Sequence, residues 1–219
     1  MPPRYLLLFL ALGVFLATVI QLQLLSIAFE KLGMSPQGAL LLMIGILLGS
    51  GINIPVARVT TTVNLPEDQP LPRPVRLWPP TDLSRGRHTI IAVNLGGCVI
   101  PVSVAIYLLF RHLVSPGDLL PAMLVITAVS YLFSRPVAGI GIAMPFLLAP
   151  LVTAASALIL APENAAPLAF SSGVLGVLLG ADILHLREIR RMGIRIASIG
   201  GAGTFDGVFL TGIIAVLLA

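Results

Sequence analysis

Two aspartates stand in stretches where an apolar chain has little reason to place charge. Asp182 lies in Gly180-Ala-Asp182-Ile-Leu-His185, and Asp206 lies in Gly200-Gly-Ala-Gly203-Thr-Phe-Asp206-Gly207. Ionisable groups within membrane spans are expensive and mark functional positions. Two carboxylates held together cannot both ionise, so one keeps a proton and the pair can activate a water against a carbonyl. Counting back from Ala219 at ~1.5 Å per residue places Asp206 about 20 Å from one membrane face. That leaves roughly 10 Å to the other face of a ~30 Å hydrocarbon core. Asp182 falls about one helical turn from that same face, so the two carboxylates are expected at similar depth on consecutive antiparallel helices. Simpler roles exist for each: Asp182 can pair with Arg187 or Arg190, and Asp206 can cap a helix that restarts after the glycine run.

A second constellation lies earlier in the chain. Asn53 and Asn94 each stand beside glycine and ahead of proline, in Gly51-Ile-Asn53-Ile-Pro55 and Asn94-Leu-Gly-Gly-Cys-Val-Ile-Pro101. Interrupted helices that present polar groups are how secondary carriers build substrate sites. Asn53, Asn94 and Gly203 are therefore the candidate substrate-contacting positions. The plainer reading gives each asparagine one interhelical hydrogen bond and each proline a kink. His185, one turn from Asp182, can serve as a metal ligand, but a zinc site needs three or four protein ligands and no others are in reach by sequence. No metal and no cofactor are expected. Cys98 lies in an apolar run and reads as a small packing residue.

These residues need a scaffold, and the composition specifies its kind. Apolar residues make up 57% of the chain and charged residues 10%, against about 25% charged in a soluble domain. So few charges cannot cover a water-facing surface, and the outer surface must face lipid. Seven apolar segments follow: Leu6–Phe29, Pro36–Val56, Thr89–Phe110, the short Leu119–Phe133, Val137–Leu160, Pro167–Leu186 and Ile196–Ala219. The first is too long for a signal-peptide core and reads as a retained helix. The short fourth segment can be half of a re-entrant hairpin with the fifth. With a cytoplasmic N-terminus, eleven of the thirteen basic residues fall in cytoplasmic segments, as the positive-inside rule requires. The expectation is an all-α polytopic membrane bundle of about seven transmembrane helices, one integral domain over residues 1–219, with the N-terminus cytoplasmic and the C-terminus outside. The basic excess is a topology signal, and no basic-aromatic surface for nucleic acid is present. Arg187, Arg190, Arg191 and Arg195 flank a cytoplasmic turn and suit anionic headgroups.

Between about 57 and 88 runs the one sizeable polar piece. Its prolines favour extended structure, and Val59–Leu65 alternates as a short strand would. It reads as a stiff connector or as a docking loop.

Two resemblances add to this reading. The order of a helix carrying Asp182, then a glycine-rich run and Asp206, resembles the last part of the presenilin and signal-peptide-peptidase type of intramembrane aspartyl protease. That likeness covers about 50 residues. It implies a catalytic pair at Asp182 and Asp206 and a membrane-helix peptide as substrate. Two residues, Thr204 and Phe205, separate Gly203 from Asp206, where that family has its aspartate directly after glycine, and Ala181 stands where presenilins carry tyrosine. The segments Gly49–Pro55, Asn94–Pro101 and Gly200–Gly207 together resemble a prokaryotic membrane family known only as a domain of unknown function. That likeness implies a shared fold, an inner or plasma membrane location and no particular activity. Three functions thus stand open: a peptide hydrolase, a carrier for a small solute, and a membrane scaffold that uses the proline-rich loop. The lipid bilayer is the one partner common to all three.

Overall fold

The computed structural model describes residues 3–60, 88–137, 141–189, 196–201 and 207–219. Helix α1 (Pro3–Lys31) is an unbroken apolar run, and few of its residues are covered by the rest of the protein. It stops where Gly33 takes φ 72° and Met34 N–H donates to Phe29 O at 3.1 Å, a left-handed helix end that suits glycine. Helix α2 (Pro36–Gly49) starts on Ser35, whose hydroxyl accepts from Gly38 N–H, with Pro36 in the first turn where its missing N–H costs nothing.

After α2 the chain changes period. Strand β1 (Asn53–Thr60) pairs antiparallel with β2 (His88–Asn94), and their register sets Asn53 opposite Asn94. A register shift between Pro55 and Ala57 lets the proline sit at an irregularity of the ladder. Strand β5 (Ile196–Ile199) adds parallel to β2, giving the order β1-β2-β5. A π-helical turn over Leu95–Val99 leads from β2 into α3 (Ile100–Phe110). Helix α4 (Pro116–Phe133) follows. A small hairpin of β3 (Arg135–Val137) and β4 (Gly141–Ala143) leads to α5 (Leu148–Leu160). Helix α6 (Ala165–Val177) runs into a second π-helical turn, Leu178–Ile183. The short α7 (Leu186–Ile189), β5 and α8 (Gly207–Leu218) complete the chain.

Helix α6 is the axis of the bundle. It packs against α3, α4, α5 and α8, and Phe170, Leu168 and Val174 on it are almost fully buried together with Phe209 and Val216 of α8. Three helical stretches, Leu12–Lys31, Pro116–Phe133 and Pro162–Glu188, are long and apolar enough to cross a membrane, and they mark the chain as a membrane protein.

Several expectations need correction. The fold is mostly helical, but it is not all-α: a three-stranded sheet is built into it. Pro36–Val56, Thr89–Phe110 and Ile196–Ala219 are not continuous helices; each divides into a strand and a helix. The physical reason is composition. Ile90, Ile91, Val93, Ile196 and Ile199 are β-branched, apolar enough to raise hydropathy and suited to a pleated surface. The remaining helices α2, α3, α5 and α8 are short; the 12 residues of α8 reach only about 18 Å. The segment expected to be short is, by contrast, an 18-residue helix once Pro116 and Ser115 start it. Of the alternating stretch Val59–Leu65, only Val59 and Thr60 are described, at the end of β1; the proline-rich residues 61–87 lie outside the described residues. Gly176 and Gly180, four apart, bring the backbone of α6 and its π-helical turn close to α4. A Cβ on Gly176 would lie 2.8 Å from Ile126 Cβ, and one on Gly180 would lie 2.8 Å from Ser130 Cβ. No described residue lies within 4 Å of a Cβ placed on Gly207.

Candidate functional site

Where α2, β2 and β5 meet the end of α6, the chain makes four abrupt changes of backbone, and each frees peptide groups that need partners. Asn94 handles most of them. It is fully buried and N-caps the π-helical turn: its Oδ1 accepts from Gly97 N–H at 2.7 Å. Its Nδ2 donates to Ser50 O at 2.7 Å and to Asn53 Oδ1 at 3.2 Å. Both amide hydrogens and the carbonyl of Asn94 are therefore engaged. Asn53 Oδ1 also accepts from Ser198 Oγ at 2.5 Å, and the same hydroxyl lies 2.6 Å from Gly201 O. A hydroxyl has one proton, so Ser198 shares it between the two acceptors.

The backbones come close enough here that side chains would not fit. A Cβ on Gly97 would overlap Gly200 O, and one on Gly96 would overlap Ile46 O. Gly200 adopts φ 78°, a region open to glycine and strained for other residues.

From the other side Asp182 reaches the same turn. It lies in the π-helical turn that ends α6, half-buried, and its Oδ2 accepts from Gly200 N–H at 2.7 Å. A carboxylate offers about four acceptor positions, so this bond does not exhaust it. Asp182 and the two asparagines, which the sequence presents separately, thus converge on residues 198–201. Asn53 grips that turn through Ser198, and Asp182 grips it through Gly200. Gly203 and Asp206 follow directly in the chain but lie outside the described residues. His185 faces its own helix and α4: its Nδ1 lies 2.9 Å from Gly180 O, and its ring centroid is 4.9 Å from that of Tyr131. Cys98 is buried, packed where the π-helical turn passes Gly200.

Ser50 and Ser198 were not singled out by sequence. The signal for Ser198 was present: a lone hydroxyl in Ile196-Ala-Ser-Ile199, directly before Gly200-Gly201, needs a partner if that segment is buried. Two cavities of about 310 and 320 Å³ lie at the far end of α6, lined by Lys31, Glu163 and Asn164 and by His112, Ser115 and Asp118 respectively.

Comparison with curated proteins and with solved structures gives no match. A family model does match: it is described as a protein of unknown function, DUF1614, and it covers residues 47–218. That span holds the whole of the convergent site, from Gly49 and Ser50 to the glycine run and α8, and the chain belongs to this family.

Proposed function

We propose that this protein is a membrane-embedded hydrolase of the aspartyl type, with Asp182 and Asp206 as its acid and base. The observation that carries the reading is the 2.7 Å bond from Gly200 N–H to Asp182 Oδ2. It ties the first carboxylate to the glycine-rich run in which the second follows six residues later. In such a pair the ionised aspartate takes a proton from water as the oxygen attacks a peptide carbonyl. The protonated partner gives its proton to the carbonyl oxygen, forming a neutral gem-diol. Return of a proton to the amide nitrogen then releases the two peptide products. A membrane-helix peptide is the substrate class in this reading, with Asn53, Asn94 and Gly203 as the positions proposed to contact it. The distribution of Arg58, Arg135 and Arg187 supports a cytoplasmic N-terminus in an inner or plasma membrane, with residues 1–219 acting as one unit.

The test is cleavage of a reconstituted membrane-helix peptide by the full chain in proteoliposomes. Asp206→Asn and Asp182→Asn are each expected to lower the rate by about 10²–10⁴-fold, the usual contribution of a positioned acid or base, with helicity by circular dichroism retained. Wild-type cleavage rates in both variants would overturn the assignment.

A carrier for a small solute is the second reading. The observation favouring it is that α2 and α3 are interrupted at Asn53 and Asn94 and meet at one polar cluster. Solute or proton flux into liposomes that Asn53→Ala abolishes, without peptide cleavage by the wild type, would favour the carrier.

A further inference from the structure

Some helix hydroxyls in this protein satisfy themselves. Thr18, Ser103 and Ser172 each donate to the carbonyl four residues earlier, at 2.7–2.8 Å, the common device for a hydroxyl in an apolar helix. Thr153 on α5, Ser171 on α6 and a group of three on α4 and its C-cap depart from this. Thr127, Ser130 and Ser134 are at least nine-tenths buried, and the hydroxyl of each has no hydrogen-bond partner among the described residues. They are spaced three and four apart, so they lie on one face of α4 and its C-cap. That face meets the π-helical turn at Gly180, where a Cβ would strike Thr127 O and Ser130 Cβ. His185 closes the same seam. It is 4% exposed, its ring lies against Tyr131 of α4, and its Nδ1 faces Gly180 O. A carbonyl only accepts, so Nδ1 carries a proton in that contact.

Three aligned hydroxyls, with the His185 ring beside them, form a set of donors and acceptors that the described protein groups do not saturate. Buried polar groups are seldom left so, and the molecule that fits between packed helices, with two to four hydrogen bonds to give and take, is water. We infer that the seam between α4 and the π-helical turn is a water-binding site, holding a short hydrogen-bonded file between Thr127, Ser130, Ser134 and His185. The site is separate from the turn gripped by Asn53 and Asp182, and the inference does not depend on the hydrolase reading.

Water-derived radical labelling of the full chain in detergent, with the solvent enriched in ¹⁸O, tests this directly. Brief radiolysis is expected to oxidise His185 although it is buried, with ¹⁸O in the product, and Ser130→Ala is expected to reduce that labelling several-fold. Thermal unfolding supplies a second readout whose sign discriminates. If water bridges the hydroxyls, Thr127→Val and Ser134→Ala each lower Tm by about 2–4 °C, and the double variant loses less than the two losses combined, because the sites share a ligand. An unlabelled His185, or single variants that keep or raise Tm, would overturn the proposal: removing a hydroxyl that has no partner at all relieves the bundle.

Discussion

Two sides of the π-helical turn that ends α6 treat polar groups in opposite ways. Around Asn94 the backbone is irregular, with strands, a π-helical turn and a glycine at φ 78°, yet the amide of Asn94 is fully engaged and Asn53, Ser198 and Asp182 all tie into the same turn. Along α4 beyond Pro121 the backbone is an unbroken helix, yet three buried hydroxyls on it and its C-cap lack partners among the described residues. Regularity saturates the main chain and leaves side chains unclaimed. Irregularity exposes peptide groups, and side chains must then be assigned to them. The first region is therefore fixed by protein groups, and the second is completed by small molecules.

The sharpest way to break this contrast is to force a side chain into the saturated region. Gly97→Ala places a methyl group on the backbone oxygen of Gly200, which cannot swing aside as a side chain would. The expected loss is more than about 3 kcal/mol, beyond ordinary overpacking, read as failure to recover a monodisperse, helical protein in detergent. A variant with wild-type Tm would show that the β2–β5 junction is loose. Next in size is Asn94→Ala. It leaves Gly97 N–H, Ser50 O and one acceptor position of Asn53 without their partner, and orphaned buried groups cost about 1–3 kcal/mol each. A total near 3 kcal/mol is expected, measured as a drop in Tm. Asn94→Asp should recover little of it, because a carboxylate cannot donate to Ser50 O.

Much of the first region was legible in the sequence, and the reason is chemical. Asn53, Asn94 and the Gly200–Gly207 run announce themselves because asparagine and glycine are out of place in apolar helices, and the breaks fall at those asparagines. What the breaks lead to was hidden. Strand and helix draw on the same isoleucines and valines, so a hydropathy window runs through Thr89–Phe110 and Ile196–Ala219 without registering a change of period. The pairing of β2 with β5 was out of reach for another reason. It joins residues about a hundred positions apart, and no local pattern records which strand a parallel edge will choose. The hydroxyls of α4 were invisible because serine and threonine are unremarkable in membrane helices. Only the absence of the usual back-bond sets Thr127 and Ser130 apart from Ser172, which is just as buried.

Ser198→Ala sharpens the comparison at intermediate size. It removes the hydroxyl shared by Asn53 Oδ1 and Gly201 O but leaves the Asn94–Asn53 bond and the Asp182–Gly200 bond in place. One such bond contributes about 1 kcal/mol, so Tm should fall by about 2–4 °C. Under the hydrolase reading the peptide-cleavage rate should fall as well, because the turn that carries the path from Asp182 to Asp206 is then held from one side. A loss of stability with full activity would separate the asparagine tie from the chemistry.

The smallest expected effect is the most informative about the glycine run. Gly200 and Gly207 look alike in sequence, each beside small or polar residues, but they answer different constraints. Gly200 has φ 78° and a would-be Cβ only 2.6 Å from Cys98 Cβ. Gly207 opens α8 with no described residue within 4 Å of its would-be Cβ, and it needs no positive φ. Gly207→Ala should therefore stabilise by about 0.4–1 kcal/mol, since alanine restricts the unfolded chain at a site whose folded backbone accepts it. Thermal unfolding in detergent checks this beside Gly200→Ala, which should unfold well below the wild type. If Gly207→Ala is instead as damaging as Gly200→Ala, a group packs against α8's first turn in the working protein, and the segment from Gly203 to Asp206 is the place to look for it.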